Sequence, residues 1–565
     1  MLSVLKFIGI FLEVLLLFNF VIFFHELGHF LAAKWRGLIV EEFAIWFGKP
    51  IWRKKIGGVW FALNSIPFGG YVKLPQLANG DVEGSSEIDK ADIPVAKPLD
   101  KIIVAAAGPL FSFLLACIFA VVVWQIGHPV QESSATTTIG AIGPDSPAEK
   151  AGLKVGDTIK SIDGYEVKRW IGQGDDAIMW RIVRSETDTI PLVVERDGKE
   201  LTLQASPKRP EKTYLTRTKT RELGIGPAIT PFIEKVEPKS PAEAAGLKRH
   251  DYITHVNGQK LVTVDGISDY LADHPADELE LTVASGLVAW GPKKDLTNRI
   301  VKFRPNLPVI GHIQKDSPAE RAGLKEEDIV VNVDGKPLKS STALLKYVKS
   351  RKKEAMKFTV ERNGAALPEI TVTPADAKDD DGTVRPRIGI AFDDKFGITY
   401  DPYGMGDTRH PKPLEQVKQS AMAIFNTFGA VTSSRSDISI QHLGGPVMMM
   451  RVYYLLFEQA DGWKLALWFS VVLNVNLALM NLLPIPPLDG SHITFATIAA
   501  IKGRPEAADE LANSKPVQWF VTAGTMLILG FMLYVTFFDL QDVFGGRKSD
   551  KFPYADKAQA EAAAK

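Results

Sequence analysis

Four runs of this 565-residue chain are long and apolar enough to cross a hydrocarbon core of about 30 Å, which takes roughly 20 helical residues. Ile102–Gly127, Leu465–Leu488 and Pro516–Phe538 contain no Lys, Arg, Asp or Glu. Phe7–Ala33 is apolar except for Glu13 and the cluster His25, Glu26, His29. A signal peptide is the alternative for this first run, but it is longer than a usual apolar core and ends in ionisable residues instead of a small-residue cleavage site. The spans predict a polytopic α-helical membrane protein in contact with lipid, and a backbone buried in lipid must satisfy its own hydrogen bonds.

Lys and Arg asymmetry orients the spans. Lys34, Arg36, Lys49, Arg53, Lys54, Lys55 and Lys73 follow the first span, and Lys502, Arg504 and Lys515 lie between the third and fourth. Both loops are expected in the cytoplasm, which puts the termini and 128–464 on the outer side. The chain carries 66 Lys plus Arg against 66 Asp plus Glu, so no bulk charge favours a nucleic-acid partner. One cysteine, Cys117, excludes an internal disulfide framework and a multi-thiolate metal site.

The outer stretch repeats. Ser146-Pro-Ala-Glu-Lys-Ala-Gly152-Leu returns at Ser240–Leu247 and Ser317–Leu324, with Asp157, Asp251 and Asp328 five residues after each glycine and Gly164, Gly258 and Gly335 twelve after. Ser caps a short helix, Pro occupies its first turn, and Gly accepts the left-handed conformation that ends it. Asp163-Gly164, Asn257-Gly258 and Asp334-Gly335 read as tight hairpin turns. The pattern resembles circularly permuted bacterial PDZ domains over 131–207, 222–304 and 306–397, which implies three tandem α+β domains that bind extended peptides, including free C-termini, at a sheet edge. Gly224, Ile225 and Gly226, and Gly389 with Ile390, are candidate carboxylate loops; the second copy ends in Arg299-Ile300-Val301-Lys302 without such a glycine. Three spacer domains with blocked grooves are the other reading. Residues 412–460 have helical amphipathic spacing suited to the membrane surface or to packing on the outer domains, and the tail after Gly545 is polar.

The strongest chemical signal is His25-Glu26-Leu27-Gly28-His29. On a helix the two histidines stand one turn apart on one face, while Glu26 lies about 100° round, beside a metal-bound water position. Ionisable groups inside a span are expensive and usually mark function. A catalytic zinc needs a third ligand, for which Asp489 in Asn481-Leu-Leu-Pro484-Ile-Pro486-Pro487-Leu-Asp489-Gly490 is the better candidate than Cys117, because the prolines break the third span beside it.

These motifs, with Ile66–Lys73, Ala107-Gly108-Pro109 and Gly444-Gly445-Pro446, resemble the site-2 protease family, in particular its bacterial PDZ-bearing regulators of sigma factors. The resemblance covers nearly the whole chain, departing in its third PDZ copy and in Gly490-Ser491-His492. It implies that His25, His29 and Asp489 bind Zn2+, that Glu26 activates water, and that Asn481 with Pro484 and Pro486 contacts substrate. It also implies a re-entrant β-element within 35–100 (Asn64, Gly69, Gly70) that holds an extended substrate segment. Expected domains are span 1 (1–34), span 2 (101–127), span 3 (464–490) and span 4 (516–540). The implied protein is a multi-pass enzyme of the bacterial inner membrane that cuts single-pass membrane proteins. A catalytically idle membrane scaffold, and a protease facing the aqueous phase, are the competing readings.

Overall fold

The computed structural model describes residues 2–77, 93–143, 145–207, 220–274, 276–285, 297–305, 307–351, 353–378, 384–393, 396–401, 407–458, 461–503 and 514–544. The polar tail 545–565 and Arg504 lie outside them.

Helix α1 (Leu2–Arg36) leads into β1 (Glu42–Ile56) and β2 (Val59–Lys73), followed by α2 (Pro98–Ile126). The β1–β2 hairpin folds over itself, so that Glu42–Ile45 pairs with Trp60–Leu63 on one side and Gly70–Lys73 on the other. The bends fall where the backbone turns left-handed, at Trp46, Gly48 and Gly69. After the outer region come α3 (Pro413–Thr432), α4 (Pro446–Glu458), α5 (Gly462–Asn481), α6 (Asp489–Ile501) and α7 (Lys515–Phe544). Among the described residues α1, α2, α5 and α7 are the helices long and apolar enough to span a membrane.

Helix α2 is the hub, packed against α1, α5 and α6. Its buried face is dominated by small residues, including Ala105, Ala107, Gly108, Ser112, Ala116 and Ala120, which let neighbouring backbones approach where lipid offers no hydrophobic driving force. Helix α7 stands at the margin, tied by its fully buried Asp539, which accepts from the Gly445 and Met448 N–H groups at 2.9 and 3.0 Å. The third span is shorter than its expected 464–490: α5 stops at Asn481, and the proline segment is non-helical until Asp489 opens α6. Prolines without N–H groups cannot continue the helical ladder.

Each outer repeat begins as its sequence requires. Ser146, Ser240 and Ser317 accept from the N–H three residues on at 3.2 Å, and Gly152, Gly246 and Gly323 adopt φ of 81°, 75° and 91°. The three recurring aspartates anchor a clamp that the repeat alone does not reveal. Asp157, Asp251 and Asp328 accept backbone N–H groups of Lys154, Lys248 and Lys325 and pair with Arg196, Arg299 and Arg362, whose guanidinium groups also bond the carbonyls of the capping glycines.

The repeats are not consecutive blocks, which corrects the boundaries 131–207, 222–304 and 306–397. The first unit is closed by Ile225–Pro227 pairing with Ile139–Ile142, and the third by Ile390–Asp393 pairing with Val309–Ile313. The second is closed by Ile398–Tyr400 against Ile233–Val236, so the third unit is inserted into it. Phe396-Gly397-Ile398 thus takes the place in the second unit that Leu223-Gly224-Ile225 and Ile388-Gly389-Ile390 take in the others. The Gly224, Gly397 and Gly389 carbonyls accept equivalent N–H groups, from Gly143, Glu237 and Gln314, at 2.8, 2.8 and 2.9 Å. The glycine missing after Arg299 is present, one inserted unit later.

Candidate metal centre

Helix α1 places His25 and His29 on the face toward α2, and the close approach depends on two glycines. A Cβ on Gly28 would strike the Ala107 carbonyl, and one on Gly108 would enter the His29 ring. Each imidazole is held from behind: His29 Nδ1 lies 2.8 Å from the Val104 carbonyl and His25 Nδ1 2.9 Å from Ser112 Oγ. A carbonyl only accepts, so His29 Nδ1 carries a proton, and in the neutral ring its Nε2 presents a lone pair. Ser112 is fully buried and plays the same orienting part for His25.

The front atoms converge. His25 Nε2 and His29 Nε2 are 3.3 Å apart, and the Asp489 oxygens lie 3.2 Å from the first and 3.4 Å from the second. Asp489 Oδ2 is buried without a hydrogen-bond partner among the described residues. Ring lone pairs and a carboxylate facing one another repel unless a cation sits among them. Ligand atoms around a tetrahedral zinc, at metal–ligand distances of about 2.0–2.1 Å, are spaced about 3.3–3.4 Å, so the donor set and its edges fit that ion.

Glu26 is half-buried beside this trio, and β2 packs against its helix. Gly70 brings the same strand against α1, for a Cβ there would lie 3.6 Å from Glu26 Cγ. Asn481 Nδ2 is 3.3 Å from His25 Nε2, at the end of α5. Pro486 is buried and Pro484 exposed in the break between α5 and α6.

Other expected residues sit elsewhere. Asn64 is buried in the sheet and donates to the Trp46 carbonyl at 3.1 Å, while Gly69 gives way to the Phe47 ring. Gly224, Ile225, Gly226, Gly389 and Ile390 belong to the outer units. Sequence reasoning missed Ser112, the Val104 carbonyl and Asn19, whose side chain receives the Trp46 indole N–H at 2.8 Å and ties the sheet to α1. A lone polar residue in an apolar run was the available signal for Ser112 and Asn19; a backbone carbonyl offers none.

The chain is similar to curated proteins over most of its length. The regulator of sigma-E protease RseP of Escherichia coli K12 is 24% identical over 85% of this chain and 88% of its own. Protease RseP of Yersinia pestis is 27% identical over the same shares. A Neisseria meningitidis chain whose name assigns it provisionally to the zinc metalloproteases is 26% identical over 85% of this chain and 89% of its own. Among solved structures, a PDZ domain of an SdrC-like protein from Listeria innocua is 27% identical over 15% of this chain and 93% of its own, with a TM-score of 0.14, too low to support an argument. The model described as peptidase family M50 matches residues 13–525, and with the metal-ready trio brought together from α1 and the start of α6 the chain belongs to peptidase family M50, the zinc metalloendopeptidases of this type.

Proposed function

We propose that the chain is an intramembrane endopeptidase that cuts the spans of single-pass membrane proteins in the bacterial inner membrane. The observation that carries this reading is the placement of the His25, His29 and Asp489 donor atoms between apolar helices, next to Glu26 and a strand edge. In this reading those three residues hold zinc, which when bound supplies Lewis acidity toward water and the scissile carbonyl. Glu26 takes the proton from water and delivers it to the leaving amine. The Asn481 amide and the Pro484–Pro486 turn hold the backbone near the cut. A peptide bond inside a helix is already hydrogen-bonded, so the substrate must be drawn out, and pairing with the Gly70–Lys73 strand keeps it extended. The outer units face away from the cytoplasm and exclude substrates with bulky outer domains or receive freshly exposed carboxyl termini at Gly224–Gly226 and Gly389-Ile390. Its substrates are anti-sigma factors already shortened by another protease, or remnant signal peptides; the name of a relative speaks of regulation of sigma E.

The test is cleavage of a model single-span substrate in liposomes by the parent and by Glu26→Gln, with bound zinc measured in parallel. Removal of a general base should slow cleavage by about 10²–10⁴-fold while zinc content stays at the parent level. A variant that cuts at the parent rate refutes the mechanism.

A further inference from the structure

Among the described residues Arg221 is the largest fully buried side chain. It lies just before the loop Leu223-Gly224-Ile225 that closes the first unit. Its Nε and one terminal nitrogen bond both carboxylate oxygens of Asp437, at 2.8 and 3.1 Å. Its other donors reach the carbonyls of Thr187, in the first unit, and of Arg435, beside Asp437. Four of its five N–H groups are thus engaged, and its backbone N–H also donates to Asp437 at 3.0 Å.

Asp437 belongs to the segment between α3 and α4. The same contact continues along α3: Ala430 packs with Ala177 and Trp180 of the first unit, Ser433 Oγ bonds Glu186 at 2.8 Å, and Asn426 donates to the Gln173 carbonyl at 3.0 Å. At its other end this segment reaches Gly445, which Asp539 of α7 holds. One short stretch therefore fastens the first outer unit to the helices over the spans and, a few residues on, to the fourth span.

We infer that the Arg221–Asp437 pair is a latch that sets the position of the first outer unit over the spans, and thereby the size of outer domain a substrate can carry to the site. This rests on the protease reading above. The two residues are positioning residues, remote from the metal trio in the chain and acting through α3 and α4. Breaking one partner leaves the other charged and buried, so the interface opens instead of relaxing in place.

The test uses full-length enzyme in liposomes with two probes: a single-span substrate with a short outer tail, and the same span with a folded globular domain on that tail. Arg221→Gln and Asp437→Asn should raise cleavage of the bulky probe relative to the short one by at least about tenfold, which corresponds to a 1.4 kcal/mol change in discrimination. The exchange Arg221→Asp with Asp437→Arg should return the ratio toward that of the parent. In a Cys117→Ala background, oxidising a Gln173→Cys, Asn426→Cys pair should restore discrimination to Arg221→Gln, a result that holds even if the unlatched chain is less stable. The yield of that cross-link, read without any substrate, should fall when Arg221 is replaced. An unchanged ratio, no rescue by the exchange, or an unchanged cross-link yield overturns the latch. Failure of the parent to cut the short-tailed probe overturns the protease reading and the size limit with it.

Discussion

Ser112 shows how much of the proposed zinc site rests on residues outside its ligand trio. It orients His25 through Nδ1, as the Val104 carbonyl orients His29, and loss of such a partner typically costs 10–100-fold in metal affinity. Ser112→Ala should therefore weaken zinc binding by roughly that factor in chelator competition, whereas Glu26→Gln should not. A Ser112→Ala chain that binds zinc as tightly as the parent would remove the serine from the site. His25, Glu26 and His29 were legible because a helix places i and i+4 on one face and because charge inside a span is costly, and Asp489 because prolines break the helix just before it. The parts played by Ser112, and by Gly108 within Ala107-Gly108-Pro109, were not, because they lie in contact between two helices whose packing no periodicity specifies.

At the level of elements, the repeated Asp–Arg clamp joins the end of the short capped helix to the hairpin strands, and each copy ties a capping glycine carbonyl to the sheet. In the third unit Asp328 is fully buried; burial alone would raise its carboxyl, but the bonds from Arg362 and the Lys325 N–H outweigh this and hold it below the usual range. A carboxylate depressed by folding stabilises the unit above the unfolded value of about 4, and that contribution disappears as the pH falls through the folded value. Hydrogen exchange of Ile329–Val333, labelled at one fixed pH after equilibration between pH 7 and pH 3, should show protection falling below about pH 4. Asp328→Asn should lower protection at neutral pH and flatten the acid response. Unaltered protection in that variant would show that the clamp contributes little. The capped helices and hairpin turns were readable from Ser-Pro, Asp-Gly and Asn-Gly pairs; the arginines were not, because they stand about forty residues away with no fixed spacing from the aspartates.

For the molecule as a whole, the four spans were visible in the sequence, and so was the break in the third, since proline chemistry is local. The nesting of the outer units was not. The repeat marks where each unit starts, but which later strand completes its sheet is a matter of long-range pairing, and Phe396-Gly397-Ile398 reads equally well as the end of the third unit. Nesting makes an asymmetric prediction: removing 306–394 and joining the flanks should leave the second unit folded, while ending the outer region at Lys302 should not. Protease resistance of Ile253–Val256 and Leu279–Val283 in the two chains checks this, and equal resistance would refute the insertion. The stretch Ile388–Tyr400 also has a consequence for biosynthesis. As the chain is made from its N-terminal end, the second unit must wait half-made until the third has been synthesised, so the later-made unit can mature first and the exposed sheet edge of the earlier one is the place where interrupted synthesis would leave the protein open to degradation.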